Sequence, residues 1–350
     1  MRDTSSPPSG RPTLGDFSRT LVRRARRTLT SRLNDRLYVS FVHRREFGRF
    51  PNLSHPQTFN EKICCRRFAP EPIYTLLSDK YAVRDYVAAT VGQHYLIECY
   101  GHTRRLTPEM YAQLPTRFVM KGNHGSGFNL LVEDKQQYPL KLLDNIGRRW
   151  LDADYYAASR ESHYRDISPR LLFEKLLLDD LGRPPMDFKF YCFRRPDRST
   201  PDIYIEVVQD RFTDFAVDYY DVDWNLIEVV EDRFTTGQRI PKPGQLDEAI
   251  EVATKLSEGF DFARVDLYLT GGRIYFGEIT FTPTGGLKHF KTPEHDRWWG
   301  QLMQPLRPPV TTRTQRVAAD MPWPDTEQAF RPARSPKARP RTQKARRTDD

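Results

Sequence analysis

Two carboxylates in the last third of the chain have the spacing expected of a metal site. Asp266 and Glu278 lie in neighbouring apolar segments, and the Gly271-Gly272 pair between them predicts a hairpin turn that places the two side chains almost opposite each other. Facing carboxylates repel, and each is costly to bury unpaired. A Mg²⁺ ion would resolve both problems, because it takes one or two protein carboxylates and completes its shell with phosphate oxygens and water. The alternative is that one carboxylate points to solvent or pairs with Arg264.

A glycine-rich segment follows Lys121. It reads Gly122-Asn123-His124-Gly125-Ser126-Gly127 and lies between two predicted strands. Such a loop can turn tightly and direct its N–H groups at an anion, while a lysine at its mouth pairs with a phosphate. A Walker P-loop is excluded, because here the lysine precedes the glycines and a strand follows them. The segment therefore predicts either a phosphate-binding loop or an ordinary hairpin turn.

Other charged residues stand in apolar surroundings. Lys80 stands in the first turn of a predicted helix, Lys189 stands between aromatic residues of a predicted strand, and Glu174-Lys175 ends an apolar run. Taken singly, each lysine is expected on a solvent-facing side. Glu174-Lys175 is either a surface ion pair or a strand end whose backbone contacts an adenine.

Asp221-Val222-Asp223 forms a rival metal motif. A DxD triplet binds a metal and a nucleotide-sugar in glycosyltransferases. The same residues lie between two predicted strands and also read as a polar turn. Both interpretations stay open at this point.

The patterns of helices and strands along the sequence predict an α+β fold, and the chain divides into five segments. These are a disordered region (1–16), a basic amphipathic helix (17–50, with its helical pattern over 17–47), a helical or α+β region (51–115), the strands and helices of the main domain (116–304) and a disordered Pro/Arg-rich tail (305–350). Within the third segment, Thr58 and Glu61 predict a capping box, and Ser78 predicts the N-cap of a helix over 78–89.

The positive charge is concentrated at the two ends of the chain. Residues 1–50 carry a net charge of +8 and residues 331–350 of +6, whereas the whole chain carries only +9. The body is therefore acidic, which argues against a specific nucleic-acid partner. The basic helix repeats an apolar residue every four positions among arginines, at Leu21, Ala25, Leu29, Leu33, Leu37 and Phe41.

That helix either docks on the folded domain or contacts an anionic membrane surface. The sequence contains no apolar run of 18 residues and no apolar N-terminal leader, and its four cysteines show no CxxC spacing. We expect a cytoplasmic protein, with peripheral attachment to the inner membrane face as the alternative location.

Taken in chain order, these segments resemble the ATP-grasp superfamily. The residues of these segments are most similar to those of the TupA-like ATP-grasp proteins of surface-polysaccharide and teichuronopeptide gene clusters. The resemblance covers roughly residues 35–305 and rests on segments 58–62, 79–84, 118–127, 187–193, 264–268 and 276–281.

The resemblance implies an ATP-grasp fold, in which two α+β lobes clasp ATP, preceded by a helical N-terminal region. The roles it implies are phosphate binding by Lys80 and Lys121 under the loop Gly122–Gly127, an adenine hinge at Glu174 and Lys175, Mg²⁺ binding by Asp266, Glu278 and Thr280, and contact with the transferred phosphoryl group by Lys189 and Arg264. Many ATP-grasp enzymes have Glu-x-Asn where this chain has Glu278-Ile279-Thr280. The third metal ligand would therefore be a hydroxyl instead of an amide oxygen.

The resemblance also implies an ATP- and Mg²⁺-dependent carboxylate–amine ligase that works through an acyl phosphate. Such chemistry needs charge neutralisation and alignment but no protein nucleophile. Its substrates would be a carboxylate and an amine, either small molecules or groups on a cell-surface polymer. Two alternatives remain, namely a glycosyltransferase using Asp221 and Asp223 and a non-catalytic ATP-grasp scaffold.

Overall fold

The computed structural model describes residues 33–209 and 216–305. The predictions for residues 1–32 and 306–350, including the two predictions of disorder, lie outside the described residues. The helices are α1 (Asp35–Phe47), α2 (Phe59–Arg66), α3 (Pro72–Ser78), α4 (Val83–Thr90), α5 (Pro108–Gln113), α6 (Leu140–Leu151), α7 (Tyr155–Ser159), α8 (Leu246–Leu256) and α9 (Pro293–Leu302). The strands are β1 (Cys99–Thr103), β2 (Phe118–Gly122), β3 (Asn129–Val132), β4 (Leu171–Glu174), β5 (Asp187–Phe193), β6 (Asp202–Gln209), β7 (Ala216–Tyr220), β8 (Leu226–Ile227), β9 (Phe262–Thr270) and β10 (Arg273–Thr280).

The strands form two antiparallel sheets. The small sheet has the order β1-β4-β2-β3, and the large sheet has the order β10-β9-β5-β6-β7-β8. The small sheet packs Phe118, Met120 and Phe173 against Leu143 of α6. Strand alternation leaves the other face of β2, with Val119 and Lys121, directed away from this core.

One face of the large sheet is covered by helices along its length. Phe188, Phe190 and Val265 of that face belong to one core with residues of α3, α4 and α8. The opposite face is covered by a second core around Phe59 and Trp299, which lie on α2 and α9. The polar side chains of this second face, which strand alternation separates from the first core, are the ones that form the candidate site.

Helix α1 is shorter than the sequence pattern predicts. It begins at Asp35, because the Asn34 side chain accepts hydrogen bonds from the backbone N–H groups of Arg36 and Leu37 and caps the helix. The predicted helix over 17–47 therefore does not run unbroken through Leu33 and Asn34. Its buried residues are Val39 and His43, whereas Leu37 and Phe41 of the predicted apolar face are 50% and 53% exposed.

The two predicted helix caps have opposite outcomes. The Thr58–Glu61 capping box is confirmed, with both reciprocal hydrogen bonds present. The prediction for Ser78 is wrong, because Ser78 is the last residue of α3 and the next helix begins only at Val83. The Asp79 carboxylate stabilises the turn between the two helices, because it accepts hydrogen bonds from the backbone N–H groups of Tyr81 and Ala82.

Candidate active site

The carboxylate hairpin forms as the spacing predicts. Strands β9 and β10 pair with Asp266 directly opposite Glu278, next to a bulge between Phe276 and Glu278. Gly277 makes that bulge possible, since a Cβ atom there would lie 3.0 Å from the backbone oxygen of Asp266. The bulge brings the two carboxylates onto the same face of the sheet.

Arg264 joins the two carboxylates. Its guanidinium donates to both oxygens of Asp266 at 2.7 Å, to Glu278 at 2.9 Å and to the Thr280 hydroxyl at 3.1 Å. The pairing with Arg264 that the sequence left as the alternative is therefore present, and it involves both carboxylates. A guanidinium fork already satisfies this cluster, and the same oxygens are ligands that a hard divalent cation accepts.

The two carboxylates have different proton affinities. Burial raises the pKa of Asp266, against the opposing effect of Arg264, and the nearby Glu278 adds to the rise. Burial would also raise the pKa of Glu278, but Lys80 and Arg264 together lower it to about 2. Glu278 is therefore ionised at every physiological pH and is the more available metal ligand of the pair.

One lysine, Lys80, contacts this hairpin, and a second, Lys121 of β2, lies near Lys80. Lys80 donates from Nζ to the Gly125 oxygen at 2.7 Å, and its Nζ lies 3.8 Å from Glu278. Lys121 donates to Glu174 at 2.7 Å, and Arg84 donates to the other oxygen of that carboxylate at 3.0 Å. Lys121 and Arg84 lower the pKa of the buried Glu174 although burial raises it. The Glu174 side chain thus contacts Lys121, a candidate for phosphate binding, and its part in an adenine hinge stays a prediction.

The glycine-rich loop is anchored at its base and open at its tip. Asn123 accepts a hydrogen bond from the backbone N–H of Arg170 and donates to the Ser168 oxygen. The loop residues Gly122 and Gly125 are buried, whereas Ser126 and Gly127 are exposed. Anchored ends and an exposed tip suit a loop that closes over a ligand.

Gly125→Ala is expected to displace the loop and weaken Mg·ATP binding about tenfold, or about 1.4 kcal/mol, because the Lys80 ammonium donates to the Gly125 oxygen and would move with it. A Cβ atom at Gly125 would lie 2.7 Å from the Tyr155 ring and 3.0 Å from the Phe128 ring. Gly244→Ala is the matched control, since its Cβ atom would meet nothing within 4 Å. Isothermal titration with Mg·ATP measures the difference, and equal affinities for the two variants would contradict the role of the loop.

A cavity of about 500 Å³ lies between the two sheets. Its lining includes Val119, Lys121, Leu131, Lys175, Leu176 and Tyr268. The segment after β4, and not the Glu174 side chain, supplies the apolar wall where a planar base would fit. Lys121 lines this cavity and donates to Glu174.

A sequence-family model described as TupA-like ATPgrasp matches residues 62–304. The chain belongs to the TupA-like ATP-grasp family. The four-stranded and six-stranded sheets with their helices are the two α+β lobes of the ATP-grasp fold, and helices precede them as predicted. A search of curated proteins finds no match.

Solved ATP-grasp structures are similar to this chain at low sequence identity. D-alanine–D-alanine ligase from Helicobacter pylori is 15% identical, with 61% of this chain and 56% of that chain covered and a TM-score of 0.34. The Bacillus anthracis ligase complexed with ATP is 16% identical, with 59% and 56% covered and a TM-score of 0.36. Macrocyclase MdnC from Microcystis aeruginosa MRC, bound with precursor peptide MdnA, is 11% identical, with 87% and 75% covered and a TM-score of 0.35. The chain spans little more than half the length of these two ligases.

In this ATP-grasp chain, polar residues at matching positions of neighbouring strands continue the site across the large sheet. Lys189 pairs in register with Asp266 on one side and with Glu206 on the other. Lys189 donates to Glu206 at 3.1 Å, and Lys288 donates to the second Glu206 oxygen at 3.0 Å. The prediction of a solvent-facing lysine is therefore wrong for Lys189, which is largely buried among these charges.

Glu206 and Lys288 are site residues that the sequence reasoning missed. Glu206 is an acidic residue inside the apolar strand β6, which is the same signal that pointed to Asp266. Tyr191 and Tyr219 also donate to its carboxylate. Lys288 lies 82 residues after Glu206 in the sequence, so no local sequence pattern could indicate that the two residues pair.

The rival DxD motif forms a polar turn. Both Asp221 oxygens accept hydrogen bonds from Asn225, one from the backbone N–H at 2.8 Å and one from the side-chain amide at 2.9 Å. Asp223 is exposed. Over residues 33–209 and 216–305, no group of three or more His, Cys, Asp or Glu residues could hold a metal ion. A cation at Asp266 and Glu278 would thus depend on further oxygens from a bound phosphate.

Proposed function

We propose that this chain is an ATP- and Mg²⁺-dependent carboxylate–amine ligase acting on cell-surface polysaccharide or peptidyl-polymer precursors. The observation that carries the proposal is the convergence of Lys80, Arg264, Asp266 and Glu278 at one hairpin. The cavity between the two lobes is lined by Lys121 and Asp187 among other residues. Asp187 of this cavity lies 3.8 Å from the Lys189 ammonium, and Lys189 pairs in register with Asp266. Cations and paired carboxylates beside an apolar cavity match the charge pattern of a nucleoside triphosphate with its metal.

The nucleotide would lie with its base in the apolar cavity and its phosphates toward the hairpin. Leu131, Leu176 and Tyr268 would contact the base. Lys80 and Lys121 would bind the phosphates, and the tip of the glycine-rich loop would exclude water. The exposed Ser126 and Gly127 supply that tip.

Asp266, Glu278 and Thr280 would hold Mg²⁺, which neutralises phosphate oxygens when it is bound. Arg264 and Lys189 face the same region and would bind the transferred phosphoryl group. The substrate carboxylate attacks the γ-phosphorus and ADP leaves, giving an acyl phosphate. The amine then attacks the acyl carbon, the C–O bond to phosphate breaks, and an amide and inorganic phosphate are formed.

Retention of the whole charge set argues against a non-catalytic scaffold. One arginine (Arg264), one lysine (Lys288) and three acids of the site (Glu174, Glu206 and Asp266) are buried, and buried charges are costly to maintain unless they bind something. The DxD alternative has less support, because both oxygens of Asp221 are engaged in a turn. The resemblance to proteins of surface-polysaccharide gene clusters supports the polymer precursor as substrate class.

Hydroxylamine trapping tests the proposed reaction. The purified chain is incubated with Mg·ATP, hydroxylamine and a panel of uronic acids, amino acids and short acidic peptides, and ADP and hydroxamate are measured. We expect equal amounts of both products with at least one carboxylate, and their loss in Lys121→Met. Release of nucleoside diphosphate from a nucleotide-sugar, with no hydroxamate from any carboxylate, would support the glycosyltransferase instead.

We also propose that α1 attaches this protein to the anionic inner face of the cytoplasmic membrane. Leu37, Phe41 and Phe50 are about half exposed, and the Arg44 guanidinium lies 4.7 Å from the Phe50 ring centroid. Arginines among exposed apolar side chains favour an anionic lipid surface. No described helix is long and apolar enough to cross a membrane, so attachment would be peripheral.

The variant Leu37→Ser with Phe41→Ser is expected to bind anionic vesicles about tenfold more weakly, because two apolar side chains no longer enter the lipid. Leu181→Ser is the control, since Leu181 is 74% exposed elsewhere on the chain. Co-sedimentation with phosphatidylglycerol and phosphatidylcholine vesicles measures both variants. Equal binding by both variants would contradict the attachment, as would equal binding of the native chain to neutral vesicles.

A further inference from the structure

A second cavity, of about 340 Å³, lies in the lobe of the small sheet. Its walls come from the segment after β1, from α6 and from Leu171 at the start of β4. Leu171 belongs to the core that the small sheet forms with α6, whereas Val119 and Lys121 of the cavity proposed for the nucleotide lie on the other face of that sheet. The two cavities share no lining residue. The second cavity is therefore a separate candidate binding site.

The lining of this second cavity is cationic. Arg104, Arg105 and Arg148 contribute three positive charges and Asp144 contributes one negative charge, so the lining has a net charge of +2. The body of the chain is acidic by contrast. Arginines grouped around one cavity repel one another, and an anion between them would relieve that repulsion. All three arginines are exposed to solvent, so a ligand can reach them.

The three guanidinium groups differ in what they already bind. Arg148 forms an ion pair with Asp144, with 2.7 Å between nitrogen and oxygen. Arg104 donates to the Ser168 hydroxyl at 2.8 Å. Within residues 33–209 and 216–305, no carboxylate forms an ion pair with Arg105. Arg105 is therefore the arginine of this cavity that is most available to an anionic ligand.

The backbone that carries Arg105 is fixed on both sides. The Thr103 hydroxyl donates to the Arg105 oxygen at 2.7 Å and accepts a hydrogen bond from the Arg105 N–H at 3.0 Å. The next residue, Leu106, is buried in the core of the small lobe. Across the cavity, α6 packs closely on β4, since a Cβ atom at Gly147 would lie 2.5 Å from the Leu171 side chain. A preorganised site loses less conformational entropy when a ligand binds.

We propose that this cavity binds a phosphate group, either free or on a small ester, while the nucleotide occupies the other cavity. A phosphate ester carries a charge close to −2 at neutral pH, which matches the +2 of the lining. Guanidinium groups bind phosphate oxygens through paired N–H···O hydrogen bonds. Leu151 and Leu171 line the same cavity and offer apolar contacts to the organic part of an ester.

Isothermal titration of the full chain tests this assignment, with and without saturating Mg·AMP-PNP. The probes are inorganic phosphate, glucose 6-phosphate and glucuronate, whose carboxylate carries a single negative charge. We expect at least one of the two phosphates to bind more tightly than glucuronate, with the same affinity when Mg·AMP-PNP is present. Tighter binding of glucose 6-phosphate would identify an ester as the ligand, and equal or tighter binding of inorganic phosphate would identify free phosphate. The titration without nucleotide makes this test independent of the proposed ligase function.

Arg105→Gln is expected to weaken phosphate binding about tenfold, since hydrogen bonds to charged groups are the stronger ones. Arg149→Gln is the matched control, because Arg149 is also exposed and lies beside Arg148 on α6 but does not line the cavity. Equal losses in the two variants would indicate attraction to the general surface charge and would overturn the proposal. So would unchanged binding in Arg105→Gln, a preference for glucuronate, or loss of phosphate binding when Mg·AMP-PNP is added.

Discussion

Glu278→Gln is expected to abolish the magnesium dependence of ATP binding while the chain stays folded. Lys80 and Arg264 lower the pKa of Glu278 to about 2, so this side chain is ionised, and its replacement removes the charge that a divalent cation needs. The fold should survive, because Arg264 keeps both hydrogen bonds to Asp266 and the Glu278 side chain is 36% exposed. Thermal unfolding with ATP, with and without Mg²⁺, measures the effect.

In the native chain, Mg·ATP at about 100 times its dissociation constant should add about 2.7 kcal/mol of stability. The variant should show the same small shift with and without Mg²⁺. Glu231→Gln is the matched control, since Glu231 is 37% exposed and also pairs with an arginine but lies away from the hairpin. If Glu278→Gln retained the native magnesium response, the assignment of the metal site would be wrong.

Glu206→Gln is expected to destabilise the chain by about 3–5 kcal/mol, the usual cost of breaking a buried ion pair. Glu206 is 6% exposed and Lys288 is 6% exposed. In the variant, the buried Lys288 ammonium loses its carboxylate partner. Burial already lowers the pKa of Lys288 although Glu206 raises it, so the pair does not fully offset the desolvation of the lysine. Urea denaturation measures the free energy of unfolding.

Glu251→Gln is the control for this prediction, because Glu251 forms an exposed i,i+4 pair with Lys255. Exposed helical pairs contribute only about 0.3–0.5 kcal/mol. A loss below about 1 kcal/mol in Glu206→Gln would contradict the structural importance of the buried network.

We also expect the stability of the chain to depend on pH through the Glu206 carboxylate. Lys288 and Lys189 lower the pKa of Glu206 well below its usual value despite burial. A depressed pKa contributes stability that is present above the unfolded-state pKa of about 4.3 and is lost as the pH falls below it. The free energy of unfolding, measured by urea denaturation at several pH values from 7 to 3, should therefore decrease less for Glu206→Gln than for the native chain.

Local patterns predicted the parts of the site that lie within one hairpin or one helix end. The spacing around Gly271 and Gly272 correctly placed Asp266 opposite Glu278, because a short turn fixes the register of its two strands. The Thr58–Glu61 capping box was likewise readable, since both partners lie within one helical turn. Ser78 failed as a cap because Asp79 offers a competing side chain at the next position.

The pairing of distant residues could not be read from such patterns. Lys189 was expected to face solvent, but β6 brings Glu206 opposite it and Lys288 arrives from beyond β10. Leu37 and Phe41 follow a helical repeat, yet the body of the protein covers Val39 and His43 of α1 instead. Which face of an element is buried depends on what packs against it.

The sequence by itself determined the α+β class, the carboxylate hairpin, the glycine-rich loop and the kind of residue available for phosphate and metal binding. These features depend on neighbours a few residues away, through strand alternation and turn geometry. Only the tertiary structure decided that Lys121 pairs with Glu174, that Glu206 holds two lysines, and that Arg105 and Arg148 line one cavity. Those contacts join segments that are far apart in the chain, and their partners are chosen by packing and charge in the folded state.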